Sequence, residues 1–407
     1  MEGKHLNIAM LSIHSSPTGQ LGTRDTGGMS VYIRELARAL GSRGHTIDIF
    51  TRLNTHRQTV VETLYPNVRL IHLDAVGIRD ISKSELFPYL QAFFRSLDEF
   101  RKNAGMLYDL IHSHYWLSGC IGRWAQKQWQ IPHVLMFHTL GAVKNNRGIG
   151  RMESDQRIST EKDLANRCHR IVAPTHREKE HLIQYYDVAA DRIGVVPCGV
   201  NLDLFRPMDK KDARRQLGLA PEDPMLLFVG RFDPSKGIDR LLSTMTHLKH
   251  REDLRLVIIG GDGDQSPEYR RLQTVTSELG IQNAVSFAGR VDQKDLPPYY
   301  SAADILVVSS YYESFGLVGL ESLACGTPVV STRVGVLEDL LKRNNIGHIV
   351  ENATPRSLAD GIEKILSVSP ATRLQDEEIR SAVLRFRWPT VASAITDEYH
   401  RILDVEK

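Results

Sequence analysis

Short, nearly continuous apolar runs that alternate with helical patterns constrain the fold of this chain more than any other feature. Such runs are typical of parallel strands that helices cover on both faces. They form two series with a break between them. The first series occupies residues 8–13, 47–50, 68–73, 110–112, 133–137, 171–173 and 194–196. The second occupies residues 225–229, 254–259, 285–287, 305–308 and 328–330. We therefore expect an α/β protein with two doubly wound, Rossmann-like domains that face each other across a cleft.

The break in the apolar pattern lies near residues 201–223, where Phe205-Arg206-Pro207 and a charged stretch interrupt it. We place an N-terminal domain at residues 1–204, a C-terminal domain at 205–387 and a final amphipathic helix at 388–407. This helix follows the completed second sheet and has no obvious place in it. We therefore expect it to cross back to the first domain.

Composition narrows the class of protein. A net charge of only +2 argues against nucleic acid as the main partner. The four cysteines are scattered and form no CxxC pair, which argues against a disulfide framework or a structural zinc site. No apolar stretch approaches the roughly 20 residues that span a bilayer, so we expect a cytoplasmic protein without a membrane segment. Residues 1–200 hold 25 basic and 19 acidic side chains, a balance that fits a phosphorylated substrate, an anionic membrane surface or simply a solvated face.

The segment 313–321 carries the strongest chemical signal. Glu313 and Glu321 stand eight residues apart around Phe315-Gly316-Leu317, directly after the apolar run 305–308. A helix that opens at this turn presents free backbone N–H groups to an anion such as a diphosphate, and the two carboxylates can accept hydrogen bonds from sugar hydroxyls. The segment therefore suits a sugar nucleotide. A capped surface helix with two solvated glutamates is the alternative interpretation.

One glycine-containing loop follows the first strand of each domain. Arg231 and Lys236 stand five residues apart after the run 225–229, a spacing that can clamp a diphosphate. Gly27 and Gly28 precede a helix predicted at 30–40 and allow a phosphate to approach the backbone closely. Either loop by itself also fits an ordinary turn with solvated charges.

Histidines and basic residues mark the ends of strands in the first domain. His112, His114 and His138 follow predicted strands, and we interpret them as walls of a site because no complete metal-ligand set is evident. A basic cluster comprises Lys144, Arg147, Arg151 and Arg157, which suits an anionic acceptor or a solvated helix face. The turn 260–264 contains two aspartates but lacks EF-hand spacing, so we interpret it as a strand-to-helix loop near the donor.

Together these motifs resemble glycosyltransferase family 4 over essentially the whole chain. The most specific are Glu313-x7-Glu321, Gly230-Arg231-x4-Lys236-Gly237 and the sequence at 324–330, Ala-Cys-Gly-Thr-Pro-Val-Val. The resemblance implies a GT-B fold and a retaining transferase. Within the family, the segments at 14–17, 27–29, 112–119, 138–140 and 143–145 are most similar to members that glycosylate inositol phosphate. The sucrose-phosphate synthase branch is next, through residues 24–28 and the following helix.

The resemblance assigns roles to individual residues. On the donor side it implies that Arg231 and Lys236 bind the diphosphate, Glu321 the ribose, Glu313 the transferred sugar and the loop of Arg290 a uracil base. On the acceptor side it implies that inositol phosphate is held by five residues: His14, Lys83, Tyr115, Thr139 and Arg157. We add His138 to the reacting face, which with Arg231, Lys236 and Glu313 completes the expected catalytic set.

The resemblance also bears on cofactors and partners. It allows a structural Mg²⁺ near Tyr300, Ser301, Ala303 and Thr327, and we expect no metal to be needed for the chemistry. We expect hexose transfer, of glucose or N-acetylglucosamine, from a UDP-sugar to a phosphorylated polyol or sugar. Ser30 and Val336 depart from the pattern of the inositol enzymes, which leaves the acceptor and the hexose open. The alternatives are fructose 6-phosphate as acceptor, a lipid-linked acceptor reached through segment 87–100, and a sugar-nucleotide epimerase. Homodimer formation also stays open.

Overall fold

The fold is seen in a computed structural model that describes residues 5–22, 26–53, 60–75, 81–148, 150, 152–220, 222–261, 263, 266–344, 346–369, 372 and 374–404. It consists of two parallel sheets flanked by helices, each sheet forming one Rossmann-like unit. The expected α/β architecture with two doubly wound domains is confirmed.

The first sheet has eight strands in the order β3-β4-β2-β1-β5-β6-β7-β8. The strands are β1 (Asn7–Leu11), β2 (Thr46–Arg52), β3 (Val61–Tyr65), β4 (Val68–Leu73), β5 (Leu110–His114), β6 (His133–Met136), β7 (Arg170–Ala173) and β8 (Ile193–Val195). Its α-helices are α1 (Gly28–Ser42), α2 (Leu90–Asn103), α3 (Tyr115–Trp129), α4 (Gly141–Asn146), α5 (Asp155–Arg167) and α6 (His176–Tyr186).

The second sheet has six strands in the order β11-β10-β9-β12-β13-β14. The strands are β9 (Met225–Val229), β10 (Arg255–Ile259), β11 (Val285–Gly289), β12 (Ile305–Val308), β13 (Val329–Ser331) and β14 (Gly347–Ile349). Its helices are α7 (Lys210–Gln216), α8 (Ile238–His247), α9 (Pro267–Glu278), α10 (Pro297–Ala302), α11 (Leu317–Ala324), α12 (Leu337–Asn344), α13 (Pro355–Leu366) and α14 (Asp376–Ser381). The last helix is α15 (Trp388–Leu403).

Two strands were not predicted from the sequence. β3 is the antiparallel edge of the first sheet, and most of its side chains are exposed, so it lacks an apolar run. β14 has only three residues and begins with glycine and histidine. Both are short edge strands whose pairing depends on neighbours rather than on their own composition.

Helix α15 returns to the first domain, as the sequence predicted. The Tyr399 hydroxyl lies 2.7 Å from Nδ1 of His112 on β5, and Glu398 forms an ion pair with Arg170 on β7. One apolar cluster runs from Met10 in the first sheet through Ile395 of α15 to Leu306 in the second sheet. The two domains therefore share a continuous core at the joint.

The segment 87–100 packs inward. Phe93 and Leu97 are fully buried, and Phe87 stacks on Trp116 of α3. No helix within the described residues is long and apolar enough to cross a membrane.

Candidate active site

A cavity of about 370 Å³ lies between the two domains, at the carboxyl ends of the central strands. Every residue to which the sequence analysis gave an individual role in the chemistry, the donor or the acceptor lines this cavity. Arg147 of the basic cluster and the strand-end histidines His112 and His114 do not line it, and Arg151 lies outside the described residues. The first domain contributes His14, Gly27, Gly28, Lys83, Tyr115, His138, Thr139 and Arg157. The second contributes Arg231, Lys236, Arg290, Glu313, Phe315, Gly316, Leu317 and Glu321. The structure thus brings all of them to one place, although their individual roles stay predictions.

Lys236 and Glu313 meet on the floor of the second domain. The Lys236 ammonium lies 2.6 Å from Oε1 of Glu313, and the Ser310 hydroxyl donates to the same oxygen at 2.7 Å. Lys236 ends the turn after β9, and Glu313 stands in the loop after β12. Because β9 and β12 are neighbours in the sheet, two residues far apart in sequence become an ion pair. The pair holds both side chains at the cavity wall.

Glu321 lies one turn into α11 and is buried. It accepts hydrogen bonds from the Tyr300 hydroxyl at 2.7 Å and from Nε2 of Gln293 at 3.0 Å. Burial raises the pKa of this carboxyl, and the two hydrogen bonds oppose that shift. A carboxylate has lone pairs beyond those two bonds, so Glu321 can still accept hydroxyl donors from a ribose.

Two helices begin at the cavity. α1 starts at Gly28 and α11 at Leu317, and the first residues of both helices line the space between the domains. The backbones approach closely here, since a Cβ on Gly28 would lie 3.4 Å from Leu317 Cδ1 and one on Gly27 3.8 Å from Arg231 Nε. The glycine loop of one domain therefore covers the cationic loop of the other.

Arg157 organises the acceptor side. Its guanidinium, almost completely buried, donates to Glu161 at 2.7 Å and to the Thr139 hydroxyl at 3.0 Å, and it stacks on the Tyr115 ring. It also pairs with Glu153 at 2.9 Å. The carboxylates therefore orient the guanidinium.

The acceptor side keeps a net positive charge. Lys144 pairs with Glu153, and Lys83 stands at the cavity wall beside them. With Arg157, three cations face two carboxylates, Glu153 and Glu161. This balance favours a dianionic or monoanionic group in the cavity.

The site histidines are neutral. His114 Nδ1 lies 2.9 Å from His138 Nε2, and burial lowers the pKa of His138 to about 3. Burial together with Lys83 and Arg52 lowers the pKa of His14 well below its usual value. The structure thus brings a third histidine, His138, beside His112 and His114, a grouping that the sequence spacing did not predict. It contacts His114 through a ring-to-ring hydrogen bond, and no group of side chains suited to hold a metal occurs among the described residues.

Two cavity residues other than glycine have left-handed backbones. His138 has φ 60° and Tyr115 has φ 73°. Both follow a parallel strand, where the chain turns sharply into the cavity. Non-glycine residues in this region cost free energy and concentrate at functional sites, so these two support the position of the site.

Several lining residues were not predicted from the sequence. Gln293 holds Glu321, Tyr32 packs edge-on against His138, and Asp233 accepts a hydrogen bond from the Ser235 amide at 2.9 Å. Asp233 occupies an N-cap position, the signal that could have identified it as a loop organiser. Gln293 and Tyr32 belong to no motif and become visible only through the fold.

The residues that the resemblance connects with Mg²⁺ lie outside this cavity. Thr327 donates to the Tyr300 carbonyl at 2.6 Å, and Ser301 accepts from the Met208 amide at 3.3 Å. Asp304, the adjacent carboxylate, is held by Lys210 at 2.8 Å. These oxygens are engaged with protein donors and acceptors, which fits Mg²⁺ poorly. The structural ion stays a prediction, and Asp262 and Asp264 lie outside the described residues.

Two facing Rossmann-like domains, with cations and carboxylates converging from one and an anion-binding wall from the other, define a glycosyltransferase of the GT-B class. Residues 26–204 match the family model described as Glycosyltransferase Family 4, and residues 209–380 match that described as Glycosyl transferases group 1. The chain belongs to glycosyltransferase family 4 and is a glycosyltransferase.

Two relatives that match along nearly the whole chain are named as D-inositol 3-phosphate glycosyltransferases. A D-inositol 3-phosphate glycosyltransferase 2 from Catenulispora acidiphila is 39% identical, with 99% of this chain and 97% of the relative covered. A D-inositol 3-phosphate glycosyltransferase from Corynebacterium jeikeium is 38% identical, with 98% and 97% covered. The resemblance to the inositol branch is thereby confirmed.

Solved structures agree on the fold. Sucrose-phosphate synthase from Thermosynechococcus elongatus superimposes with a TM-score of 0.90 at 32% identity, covering 98% of this chain and 100% of that one. Anabaena HepE in complex with UDP-glucose gives a TM-score of 0.76 at 20% identity, covering 98% and 100%, which supports the fold alone.

Proposed function

We propose that this enzyme transfers a hexose, glucose or N-acetylglucosamine, from a UDP-sugar to a hydroxyl of inositol phosphate, with retention of configuration at the anomeric carbon. One observation carries the proposal. The predicted donor set and the predicted acceptor set, drawn from separate segments of two domains, line the same cavity. The inositol-phosphate acceptor is further supported by the names of full-length relatives at 38–39% identity.

The donor side places positive charge where the reaction develops negative charge. As the bond between the anomeric carbon and the diphosphate oxygen breaks, negative charge grows on the leaving UDP. Arg231, Lys236 and the N–H groups at the start of α11 stabilise that charge. When the donor binds, Glu313 exchanges its ion pair with Lys236 for hydrogen bonds from hydroxyls of the transferred sugar. The Lys236 ammonium is then free to contact the phosphate.

The distribution of carboxylates supports retention. The cavity-lining carboxylates among the described residues are Asp233, Glu313 and Glu321, and all three belong to the donor domain. None of these described carboxylates stands on the acceptor side, where it could act as a nucleophile on the far face of the sugar or as the base for an inverting attack. The acceptor hydroxyl therefore attacks from the face that the diphosphate leaves, and a diphosphate oxygen takes its proton. His138, neutral because of burial, lines this face without serving as a charged acid.

The acceptor phosphate binds the basic wall. Arg157 is already oriented by Glu161 and Thr139, so its guanidinium needs no reorganisation to receive a phosphate. Lys83 adds positive charge from the cavity wall. An acceptor held by its phosphate presents ring hydroxyls to the anomeric carbon.

The test is a matrix of substrates. The enzyme is incubated with UDP-glucose, UDP-N-acetylglucosamine or GDP-mannose against inositol 3-phosphate or fructose 6-phosphate, and products are identified by mass. The anomeric configuration of the product is read from its proton coupling constant. We expect one UDP-sugar with inositol phosphate to give an α-linked product. An inverted product would refute the retaining mechanism, and an epimerised donor formed without acceptor would favour an epimerase.

A second candidate is transfer to fructose 6-phosphate. The full-length similarity to sucrose-phosphate synthase at 32% identity favours it, as does Ser30, which departs from the inositol pattern. Ser30 is buried and lies 2.6 Å from the Ser15 hydroxyl at the cavity edge. Product formation from fructose 6-phosphate but not from inositol phosphate would select this candidate.

The lipid-linked acceptor has less support, because the apolar side chains of segment 87–100 pack inward. Co-sedimentation with anionic liposomes measures it directly, and an enzyme for a small phosphorylated acceptor stays in the supernatant.

A further inference from the structure

Hydrogen bonds connect the first domain with the donor side at two places, one beside Glu313 and one at Glu321. Glu178 on α6 accepts a hydrogen bond from the hydroxyl of Ser314, the residue after Glu313. Arg34 on α1 donates to Oε1 of Gln293 at 2.7 Å, and Gln293 in turn donates to Glu321 at 3.0 Å. Neither Glu178 nor Arg34 lines the substrate cavity.

Glu178 has an unusual place for a glutamate. The sequence Thr175-x-x-Glu178 is that of a capping box, in which the glutamate side chain returns to the N-cap amide. Here the Thr175 hydroxyl accepts from the Glu178 amide at 3.1 Å, as expected, but the carboxylate crosses the domain seam to Ser314. Helix capping therefore does not account for the carboxylate.

Glu178 is buried, and its carboxylate is only partly engaged in hydrogen bonds. Its residue exposure is 3%, and Oε1 has no hydrogen-bond partner among the described residues. That carboxylate borders a gap of about 10 Å³, roughly the volume that one water needs. Burial raises the pKa of Glu178 to about 7, and the bond from Ser314 opposes this shift. Burying a carboxylate for a single hydrogen bond costs stability, so a functional reason is needed.

Neighbouring contacts fix the same loop. The Arg147 guanidinium donates to the Tyr311 carbonyl at 2.8 Å and lies over the Tyr312 ring. Ser314 thus stands in a loop that the first domain holds at two points, while Glu313 itself is held by Lys236 and Ser310. When a donor displaces Lys236 from Glu313, the contact through Ser314 remains.

We propose that Glu178 and Arg34 are positioning residues for the donor, Glu178 keeping Glu313 aimed at the transferred sugar through Ser314, and Arg34 keeping Glu321 aimed at the ribose through Gln293. The inference rests on the proposed function only in assigning Glu313 to the sugar and Glu321 to the ribose. It implies that the acceptor domain takes part in selecting the donor through residues that do not touch the donor.

The experiment compares binding of UDP with binding of the UDP-sugar that the wild type accepts, by titration calorimetry without acceptor. The difference between the two affinities isolates the sugar contacts. We expect Glu178→Ala and Ser314→Ala to keep UDP affinity within about 2-fold and to lose about 10-fold in affinity for the UDP-sugar. Glu178→Gln, whose amide oxygen still accepts from Ser314, should keep both affinities within about 2-fold. We expect Arg34→Met to weaken UDP and UDP-sugar by the same factor of about 10. Glu180→Gln, an exposed glutamate on α6, is the matched control.

The pattern separates positioning from simple destabilisation. A structural role for Glu178 predicts that both ligands weaken together, which would overturn the inference, as would wild-type affinity for the UDP-sugar in both Glu178→Ala and Ser314→Ala. The double variant Glu178→Ala/Ser314→Ala should bind no worse than the weaker single variant, because both remove one contact. If the wild type binds neither UDP nor any UDP-sugar, the proposed function fails instead.

Discussion

The charged side chains of this site are paired before a substrate arrives. Lys236 holds Glu313, and Arg157 holds Glu153 and Glu161. Pairing keeps each group at its place in the empty cavity and reduces the repulsion among cations. A substrate must therefore replace these partners, so its phosphates and hydroxyls compete with contacts that already exist.

Lys236→Ala tests the role of the ammonium. We expect kcat to fall by a factor of about 10²–10³, because one preorganised group that stabilises the leaving diphosphate is lost. Folding stability should change by less than about 1 kcal/mol, since the ion pair is partly exposed and Ser310 still donates to Glu313. Steady-state kinetics and urea denaturation measure the two quantities. Lys249→Ala, on the protein surface, is the control, and wild-type turnover in Lys236→Ala would refute the assignment.

Buried neutral histidines should make the fold sensitive to acid. Burial lowers the pKa of His112, His133 and His138 to about 3 each. Below pH 6.5 the unfolded chain takes up these protons and the folded one does not, so stability is full above pH 6.5 and is lost as pH falls toward 3. Each histidine contributes a slope of up to about 1.4 kcal/mol per pH unit in that window.

Urea denaturation between pH 7.5 and 4.5 measures this slope. In His138→Asn it should be shallower by up to one proton, because asparagine tolerates the left-handed backbone and does not titrate. His176→Asn, exposed at the start of α6, should leave the slope unchanged. Parallel pH curves for wild type and His138→Asn would contradict the prediction.

At the scale of elements, the site is assembled at strand ends followed by helix starts. Lys236 and Glu313 follow the neighbouring strands β9 and β12, and the first residues of α1 and α11 line the same cavity. The sequence predicted these elements because each carries its own signal: an apolar run, a glycine turn and an apolar helix face. It did not predict β3, whose side chains are mostly exposed, because an edge strand needs no apolar run.

Contacts between elements could not be predicted from the sequence. The contact between His112 and Tyr399 joins residues 287 positions apart, and that between Glu178 and Ser314 joins residues 136 apart. Thr175-x-x-Glu178 indicates a helix start, and nothing local shows that its carboxylate leaves the helix. Motif spacing thus identified groups that face the substrate, while the groups that hold them depend on packing.

Gly237→Ala tests the turn that ends in Lys236. Gly237 has φ 67°, and a Cβ there would lie 2.2 Å from the Ser309 carbonyl oxygen. Because the obstacle is backbone, the turn must move away from β12. We expect a loss of about 1–3 kcal/mol in stability and a weaker affinity for UDP, measured by thermal denaturation and calorimetry. Unchanged UDP affinity would show that the position of this turn is not critical for the diphosphate.

At the scale of the whole molecule, the chain crosses between domains twice, and the two crossings lie side by side. The Val200 amide donates to the Phe386 carbonyl at 2.8 Å, and Val200 pairs with Arg387 in a short parallel bridge. Arg380 binds the carbonyls of Leu202 and Phe205. The joint is therefore a paired strand braced by the second domain, and the apolar core continues through it into α15. Such a joint sets how the donor and acceptor walls face each other.

Gly199→Ala tests whether the joint sets the geometry for transfer. A Cβ at Gly199 would lie 2.5 Å from Cδ2 of Trp388, a rigid and buried ring that also packs on Tyr32. The added methyl must displace α15 at its first residue, so we expect about 1–3 kcal/mol of destabilisation. Apart from Gly27 and Gly28, the groups that contact UDP in the proposed scheme belong to the second domain, so its affinity should stay within about 2-fold while kcat falls about 10-fold through misalignment of the acceptor wall. Trp388→Phe combined with Gly199→Ala restores space and should recover part of kcat. If UDP affinity and kcat fall in parallel, the joint supports the second domain itself and not the alignment of the two.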